Sequence, residues 1–232
     1  MRRPELEDKE TRWWWVRHAP VPNSVRIYGQ SDVDCDCSNL EVFKALAAEL
    51  PSKAVWLTSN LSRTHQIAAA IVGALEEKAR PKENPVAIPK FAEQNLGEWQ
   101  GLVREEFFAS RGRTNHPFWF GPSDERAPGG ESFNDVVERV GPEVLRLNKE
   151  FSGRDIVAVA HGGTIRAALA IALNLNPNAA LAFSIENCSI TRIDHFTTQA
   201  DGDFWRVAMA NHRPWSRTSA RATHASVTAP LA

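Results

Sequence analysis

Short apolar runs alternate along this chain with longer stretches whose apolar residues recur at helical spacing. Runs typical of buried strands lie at 13–16, 54–58 and 156–160, and each precedes a helical pattern. The late segments CSITRI and DFWRVAMA have the composition of two further strands. Strand and helix in alternation predict an α/β fold, a three-layer α/β/α sandwich around a mostly parallel central sheet.

Four amphipathic helices follow from apolar positions three or four residues apart. Ser38 and Glu41 have the spacing of a capping box at the start of the first helix, and Gly141-Pro142 predicts a kink in the third. The apolar positions are Leu40, Phe43, Leu46 and Leu50, then Ile67, Ala70, Ile71, Ala74 and Leu75, then Phe133, Val136, Val137, Val140 and Val144, and last Ile165, Ala168, Leu169, Ala172 and Leu173.

Length and composition are those of one large globular unit. The chain has 232 residues, of which 43% are hydrophobic and 24% charged, and its formal net charge is -1. It contains no repeat and no long Gly/Ser/Pro linker, so we expect a single domain over 1–215 and a flexible tail over 216–232. The balanced charge gives no sign of a nucleic-acid partner.

Targeting signals are not evident at the amino terminus. The first residues, MRRPELEDKETR, are charged throughout, and no later apolar run reaches the roughly 18 residues of a membrane span. We therefore expect a cytoplasmic protein without a membrane partner. Cys35, Cys37 and Cys188 form no C-x-x-C pair, so ordinary thiols are expected.

Polar and cationic residues come directly after the three predicted central strands. Ligands of open α/β sheets bind beyond the carboxyl ends of the strands, so these side chains should share one site. Convergent cations repel one another unless an anion lies between them, which favours a phosphoryl group as the occupant. The residues concerned are Arg17 and His18, then Thr58, Ser59 and Arg63, and finally His161 with Gly162 and Gly163.

Two patterns in the sequence have the spacing or the residue types of a metal site. Asp32, Asp34 and Asp36 have the alternate spacing that opens a calcium loop, but Cys37 and Phe43 occupy the positions of its glycine and its bidentate glutamate. Two histidines and a carboxylate, His18, His161 and Glu93, would form a zinc set, but adjacent arginines disfavour a dication. We expect neither metal nor cofactor.

Four separated motifs resemble the histidine phosphatase superfamily, which includes phosphoglycerate mutases and α-ribazole phosphatases. They are Arg17-His18, TSNLSRTHQIA around Arg63, EQNLGEWQGL from Glu93, and VAVAHGGTIR around His161. The segments YGQSDVDC and PGGESF look more like the α-ribazole phosphatase branch than the mutases. The resemblance implies a phosphoglycerate mutase-like fold.

The resemblance also implies roles for individual residues. His18 would become phosphorylated, Arg17, Arg63 and His161 would hold phosphoryl oxygens, and Glu93 would protonate the leaving group. Asn23 would be a phosphate-binding residue, although it lies one residue closer to His18 than in the mutase pattern. Departures from the family pattern are Ala19 in place of glycine, the following Pro20, and Asn60 in place of proline.

Three functions are consistent with these residues. The first is a phosphomonoesterase that hydrolyses a small phosphate ester through a phosphohistidine. The second is a mutase, for which region 102–130 offers only Arg104, Arg111, Arg113 and Arg126 to hold a second charged group. The third is a phospho-ligand-binding module without turnover. Phe107, Phe108, Phe118, Trp119 and Phe120 either wall the site or cover the sheet.

Overall fold

A computed structural model describes residues 9–22, 25–111, 116–198 and 202–216. One six-stranded sheet has the order β3-β2-β4-β1-β5-β6. Strands β1 to β4 run parallel, β5 runs antiparallel to β1, and β6 is antiparallel to β5. The predicted mostly parallel sheet is confirmed. Its strands are β1 (Lys9–Arg17), β2 (Ala54–Thr58), β3 (Val86–Ala87), β4 (Asp155–Ala160), β5 (Ile190–Thr198) and β6 (Gly202–His212).

All four predicted helices are present, together with two short ones that periodicity did not indicate. Helix α4 continues through Gly141-Pro142 without a break. The helices are α1 (Leu40–Glu49), α2 (Ser62–Ala74), α3 (Arg104–Arg111), α4 (Phe133–Glu150), α5 (Gly162–Ala172) and α6 (Pro177–Ala180).

The capping box predicted at Ser38 is wrong. Helix α1 begins after Asn39 without a side-chain cap, because Ser38 belongs to a turn in which its N–H donates to Asp36. Leu40, assigned to the apolar face, is 65% exposed. A capping box occurs instead at Ser132, where the N3 carboxylate is that of Asp135.

Two apolar cores lie on opposite faces of the sheet, because side chains alternate along β1. Trp13 and Trp15 stack with ring centroids 5.0 Å apart on the face covered by α4 and α5. Trp14 and Val16 face α1 and α2. The indole N–H of Trp13 donates to Asn148 Oδ1 at 2.6 Å, so even this fully buried ring is satisfied.

Strand register brings the predicted site to one edge. Arg17 pairs with Ala160, and both Val16 and Thr58 align with Val159, so the carboxyl ends of β1, β2 and β4 coincide. No helix in the described ranges is long and apolar enough to cross a membrane. The predicted tail lies outside the described residues from position 217 onward.

The remaining sequence candidates have ordinary surroundings. Each of the three cysteines is a free thiol, and burial raises the pKa of Cys35 and of Cys188 to about 12. Asp32 accepts hydrogen bonds from the backbone and hydroxyl of Ser62, and Asp34 accepts one from Gln66. Two aspartates of the calcium pattern, Asp32 and Asp34, are thus engaged by α2, and the third, Asp36, accepts from the backbone N–H of Ser38.

Candidate active site

His18 is held with one ring nitrogen bonded and the other free. Nδ1 lies 2.7 Å from the carbonyl oxygen of Ala19. A carbonyl can only accept, so Nδ1 carries the proton and Nε2 is left with a lone pair. Nε2 is buried and has no hydrogen-bond partner among the described residues. This arrangement presents Nε2 as a nucleophile.

The electrostatic surroundings keep that imidazole neutral. Burial lowers the pKa of His18 well below its ordinary value, and the positive charges of Arg17 and Arg63 lower it further. A protonated ring would have no lone pair for attack. At neutral pH the side chain is therefore in its reactive form.

The second histidine has the opposite tautomer. Arg63 Nε donates to His161 Nδ1 at 3.3 Å, so the proton of His161 resides on Nε2, which lies 2.8 Å from Ser59 Oγ. Burial, followed by the charge of Arg63, lowers the pKa of His161. The His161 ring centroid lies 5.2 Å from that of His18.

Backbone carbonyls orient the two arginines. Arg63 is fully buried and donates through Nη2 to Gly29 at 2.7 Å and through Nη1 to Ser31 at 3.0 Å. Arg17 donates through Nη1 to the carbonyl of Ile185 at 2.5 Å, while its buried Nε has no partner in the part of the chain that the structure describes. Arg17 Nε can therefore donate a hydrogen bond to a phosphoryl oxygen, and His18 Nε2 can attack the phosphorus atom.

Glu93 is placed by the start of α5. Its Oε1 accepts from the backbone N–H of Gly163 at 3.0 Å and of Gln94 at 2.9 Å. A helix amino terminus favours a negative charge. A Cβ atom at Gly163 would lie 2.3 Å from Glu93 Oε1, so glycine is required for this close approach.

A cavity of about 490 Å³ opens onto this group. Arg17, Glu93 and Gly162 line it, whereas His18, Arg63 and His161 are fully buried. The other wall is largely aromatic and comes from Tyr28, Phe108, Phe118, Trp119 and Phe120.

The comparison with known families bears on this geometry. The model of the histidine phosphatase superfamily (branch 1) matches residues 13–208, a span that contains the carboxyl ends of β1, β2 and β4. The chain belongs to the histidine phosphatase superfamily.

Relatives of this chain include mutases and phosphatases. It is 32% identical over 164 residues to 2,3-bisphosphoglycerate-dependent phosphoglycerate mutase 2 of Gloeobacter violaceus, covering 67% of this chain and 69% of that one. It is 27% identical over 170 residues to a metal-independent phosphoserine phosphatase of Arabidopsis thaliana, covering 70% and 69%. The α-ribazole phosphatase structure from Shigella flexneri shares the fold, with a TM-score of 0.67, 20% identity, and coverage of 87% and 96%.

The structure brings together five of the six predicted site residues. These are Arg17, His18, Arg63, Glu93 and His161. Asn23 lies outside the described residues. In the described ranges, no three or more His, Cys, Asp or Glu side chains are grouped as a metal ion would need.

Some of the aromatic and cationic residues predicted in region 102–130 line the cavity, and others lie in the core or in ion pairs. Phe108, Trp119 and Phe120 wall the cavity, whereas Phe107 is buried against Ile27 and Leu96. Of the four arginines proposed for a second charge, three are described, and among those three only Arg104 lines the cavity. Arg111 pairs with Glu125, Arg126 pairs with Asp135, and Arg113 is not described.

Sequence reasoning missed Arg166, which also lines the cavity. It lies four residues after Gly162, one helical turn along α5, on the same face as the start of the helix. The repeating apolar residues of α5 mark the face of the helix that packs into the core. The signal in the sequence that could have pointed to Arg166 is its distance of four residues, or one helical turn, from Gly162.

Proposed function

We propose that this protein is a phosphomonoesterase that transfers the phosphoryl group of a small phosphate ester to His18 and then to water. The observation that carries the proposal is the neutral, partnerless Nε2 of His18 beside the guanidiniums of Arg17 and Arg63. No residue in the scheme requires a metal or a cofactor.

In the first step, His18 Nε2 forms a bond to phosphorus while the bond from phosphorus to the ester oxygen breaks. Glu93 enters this step protonated, gives its proton to that oxygen, which leaves as an alcohol, and is left as a carboxylate. Arg17, Arg63 and His161 stabilise the charge on the phosphoryl oxygens, which is the main contribution that a protein makes to such transfers.

In the second step, water attacks phosphorus and the bond between phosphorus and Nε2 breaks. Glu93 takes a proton from the water, inorganic phosphate forms, and His18 returns to its neutral state. Both steps use the same cations, because the charge develops on the same oxygens.

A mutase is the second candidate, supported by the relative from Gloeobacter violaceus. Its phosphohistidine would pass the phosphoryl group to a phosphoglycerate rather than to water. A phospho-ligand-binding module would form no phosphohistidine at all. The three functions differ in the fate of the phosphoryl group.

The test follows that fate with p-nitrophenyl phosphate. The wild type should release inorganic phosphate, and quenched enzyme should carry an acid-labile phosphoryl group. His18→Ala should abolish both, whereas His65→Ala, which removes an exposed histidine of α2, should abolish neither. Rapid transfer to 3-phosphoglycerate with negligible phosphate release would make the protein a mutase. Full activity of His18→Ala would exclude this mechanism.

A further inference from the structure

Arg166 is held rigidly against the cavity from two sides. Its Nε donates to the carbonyl of Phe183 at 2.9 Å, and its guanidinium carbon lies 4.7 Å from the ring centroid of Trp119. The residue is only 8% exposed. These contacts fix the plane of the guanidinium, and they leave both terminal nitrogens without a hydrogen bond to any described residue.

The charge of Arg166 is not neutralised by an ion pair. No carboxylate in the described ranges forms a salt bridge with it, and the cation Arg17 lies beside it at Gly162. The position that a Cβ atom would take at Gly162 lies 3.1 Å from Arg166 Nη1 and 3.6 Å from Arg17 Nε. Two guanidiniums this close, partly removed from water, destabilise each other unless an anion approaches.

Arg166 remains charged at neutral pH in spite of these surroundings. Burial, followed by the charge of Arg17, lowers its pKa to about 10. The charge of Glu93 acts in the opposite direction, but that carboxylate is engaged by backbone N–H groups. A protonated and unpaired guanidinium thus faces the cavity.

Arg166 lies between the phosphoryl site and the outer wall of the cavity, because its Nη1 is beside Arg17 Nε at Gly162 and its guanidinium packs on the ring of Trp119. The charges that lower the pKa of His18 are those of Arg17 and Arg63. The charge of Arg166 acts instead on His116, on the outer wall of the cavity. Its stacking partner Trp119 belongs to the same wall.

We propose that Arg166 binds a second anionic group, a carboxylate or a phosphate, on the leaving group of the substrate. The proposal rests on the proposed function, because it assigns the cavity beside the nucleophile to the leaving group. A cavity of about 490 Å³ has the size of a metabolite site, and its aromatic wall suits an apolar body between the two anions. In this arrangement Arg17 and Arg63 bind the phosphoryl group that is transferred.

Esters matched in everything but the second charge provide the test. The neutral ester is 4-(carbamoylmethyl)phenyl phosphate, and its charged analogues are 4-(carboxymethyl)phenyl and 4-(phosphonomethyl)phenyl phosphate. The methylene group insulates the phenol, so the leaving groups differ little in reactivity. In the wild type we expect kcat/KM to be roughly 10- to 100-fold higher for at least one charged ester, the contribution of a hydrogen-bonded charge pair. The better of the two identifies a carboxylate or a phosphate.

Arg166→Gln should reduce that preference to near one while the neutral ester keeps its kcat/KM within about threefold. Arg166→Lys should keep part of the preference for the charged esters, since lysine keeps the positive charge but lacks the two parallel N–H donors of a guanidinium. Arg146→Gln, on the outer face of α4, is the matched control and should change nothing. If Arg166→Gln does not fold, the wild-type preference and Arg166→Lys decide the question.

Two results would overturn the proposal. One is a wild-type preference near one for both charged esters. The other is an equal loss for charged and neutral esters in Arg166→Gln with weaker inhibition by inorganic phosphate, which would make Arg166 a phosphoryl ligand. If no ester is hydrolysed, the proposed function fails by itself. The affinities of the unreacted esters, measured by calorimetry, then still test Arg166.

Discussion

The imidazole of His18 owes its reactivity to contacts that are individually ordinary. The carbonyl of Ala19 selects the tautomer, and the arginines on either side oppose protonation. Because the folded protein excludes a proton that the unfolded chain accepts, His18 and His161 make the fold less stable as pH falls below about 6.5. Reactivity at neutral pH is thus linked to a cost in stability at acidic pH.

The protonation state of His18 can be measured directly. In an NMR titration, the His18 ring signals, assigned with His18→Ala, should not shift as pH falls from 8 to about 6, because burial and two cations lower its pKa. Arg63→Gln should move the titration toward the ordinary histidine range, since it removes one of those charges. A wild-type His18 that titrates near pH 6.5 would contradict this assignment.

Glu93→Gln keeps the size of the side chain but removes its proton chemistry. Turnover should fall by roughly 10²–10⁴, the usual contribution of one general acid-base residue. Formation of the phosphohistidine from p-nitrophenyl phosphate should suffer less than that from an alkyl phosphate, because nitrophenolate leaves without protonation. Glu98→Gln, exposed in the same loop, is the control and should be fully active. Unimpaired Glu93→Gln would assign the acid role to another carboxylate.

Helix α5 organises the site through its first turn. His161 is its N-cap residue, Gly162 allows Arg17 and Arg166 to approach, and Gly163 binds the carboxylate of Glu93. The absence of a Cβ atom at Gly163 is therefore a requirement of the site rather than of the helix. Its remaining residues pack into the core beside α4.

The two glycines Gly163 and Gly73 should respond to alanine in opposite ways. Gly163→Ala places a Cβ atom 2.3 Å from Glu93 Oε1 and should reduce turnover by roughly 10²-fold by displacing that carboxylate. Gly73→Ala, in α2 with no atom within 4 Å of the new Cβ, should raise the free energy of unfolding by about 0.5–1 kcal/mol. Urea unfolding and steady-state kinetics on both variants test the pair. Normal kinetics in Gly163→Ala would show that Glu93 does not need this position.

Anion binding at the sheet edge connects all three central strands, so it should stabilise the whole molecule. Phosphate or vanadate at about 100 times its Kd should contribute about 2.7 kcal/mol, which raises Tm by roughly 5–10 °C for a chain of this size. Because arginines hold the anion, the shift and the esterase activity should both survive EDTA. Arg63→Gln should lose the shift. Activity lost with EDTA and restored by zinc would favour a metallohydrolase.

Much of this protein follows from the sequence by itself. Apolar runs and helical periodicity determined the three-layer architecture, since burial of one face requires those spacings. The rule that ligands bind at the carboxyl ends of parallel strands then placed Arg17, His18, Arg63 and His161 together, and the register of β1, β2 and β4 confirms that placement. Glu93 came from a motif rather than from periodicity, because a loop carboxylate has no local signature.

Other features were decided by the tertiary structure alone. The tautomers of the two histidines depend on contacts with Ala19 and Arg63 that no spacing reveals. Ser38 lost its predicted capping role because a turn at Asp36 competed for it. Arg166 entered the cavity because the carbonyl of Phe183 and the ring of Trp119, both distant in the chain, orient its guanidinium. Local patterns specify which face of an element is buried, whereas the direction of a polar side chain depends on partners that only folding brings within reach.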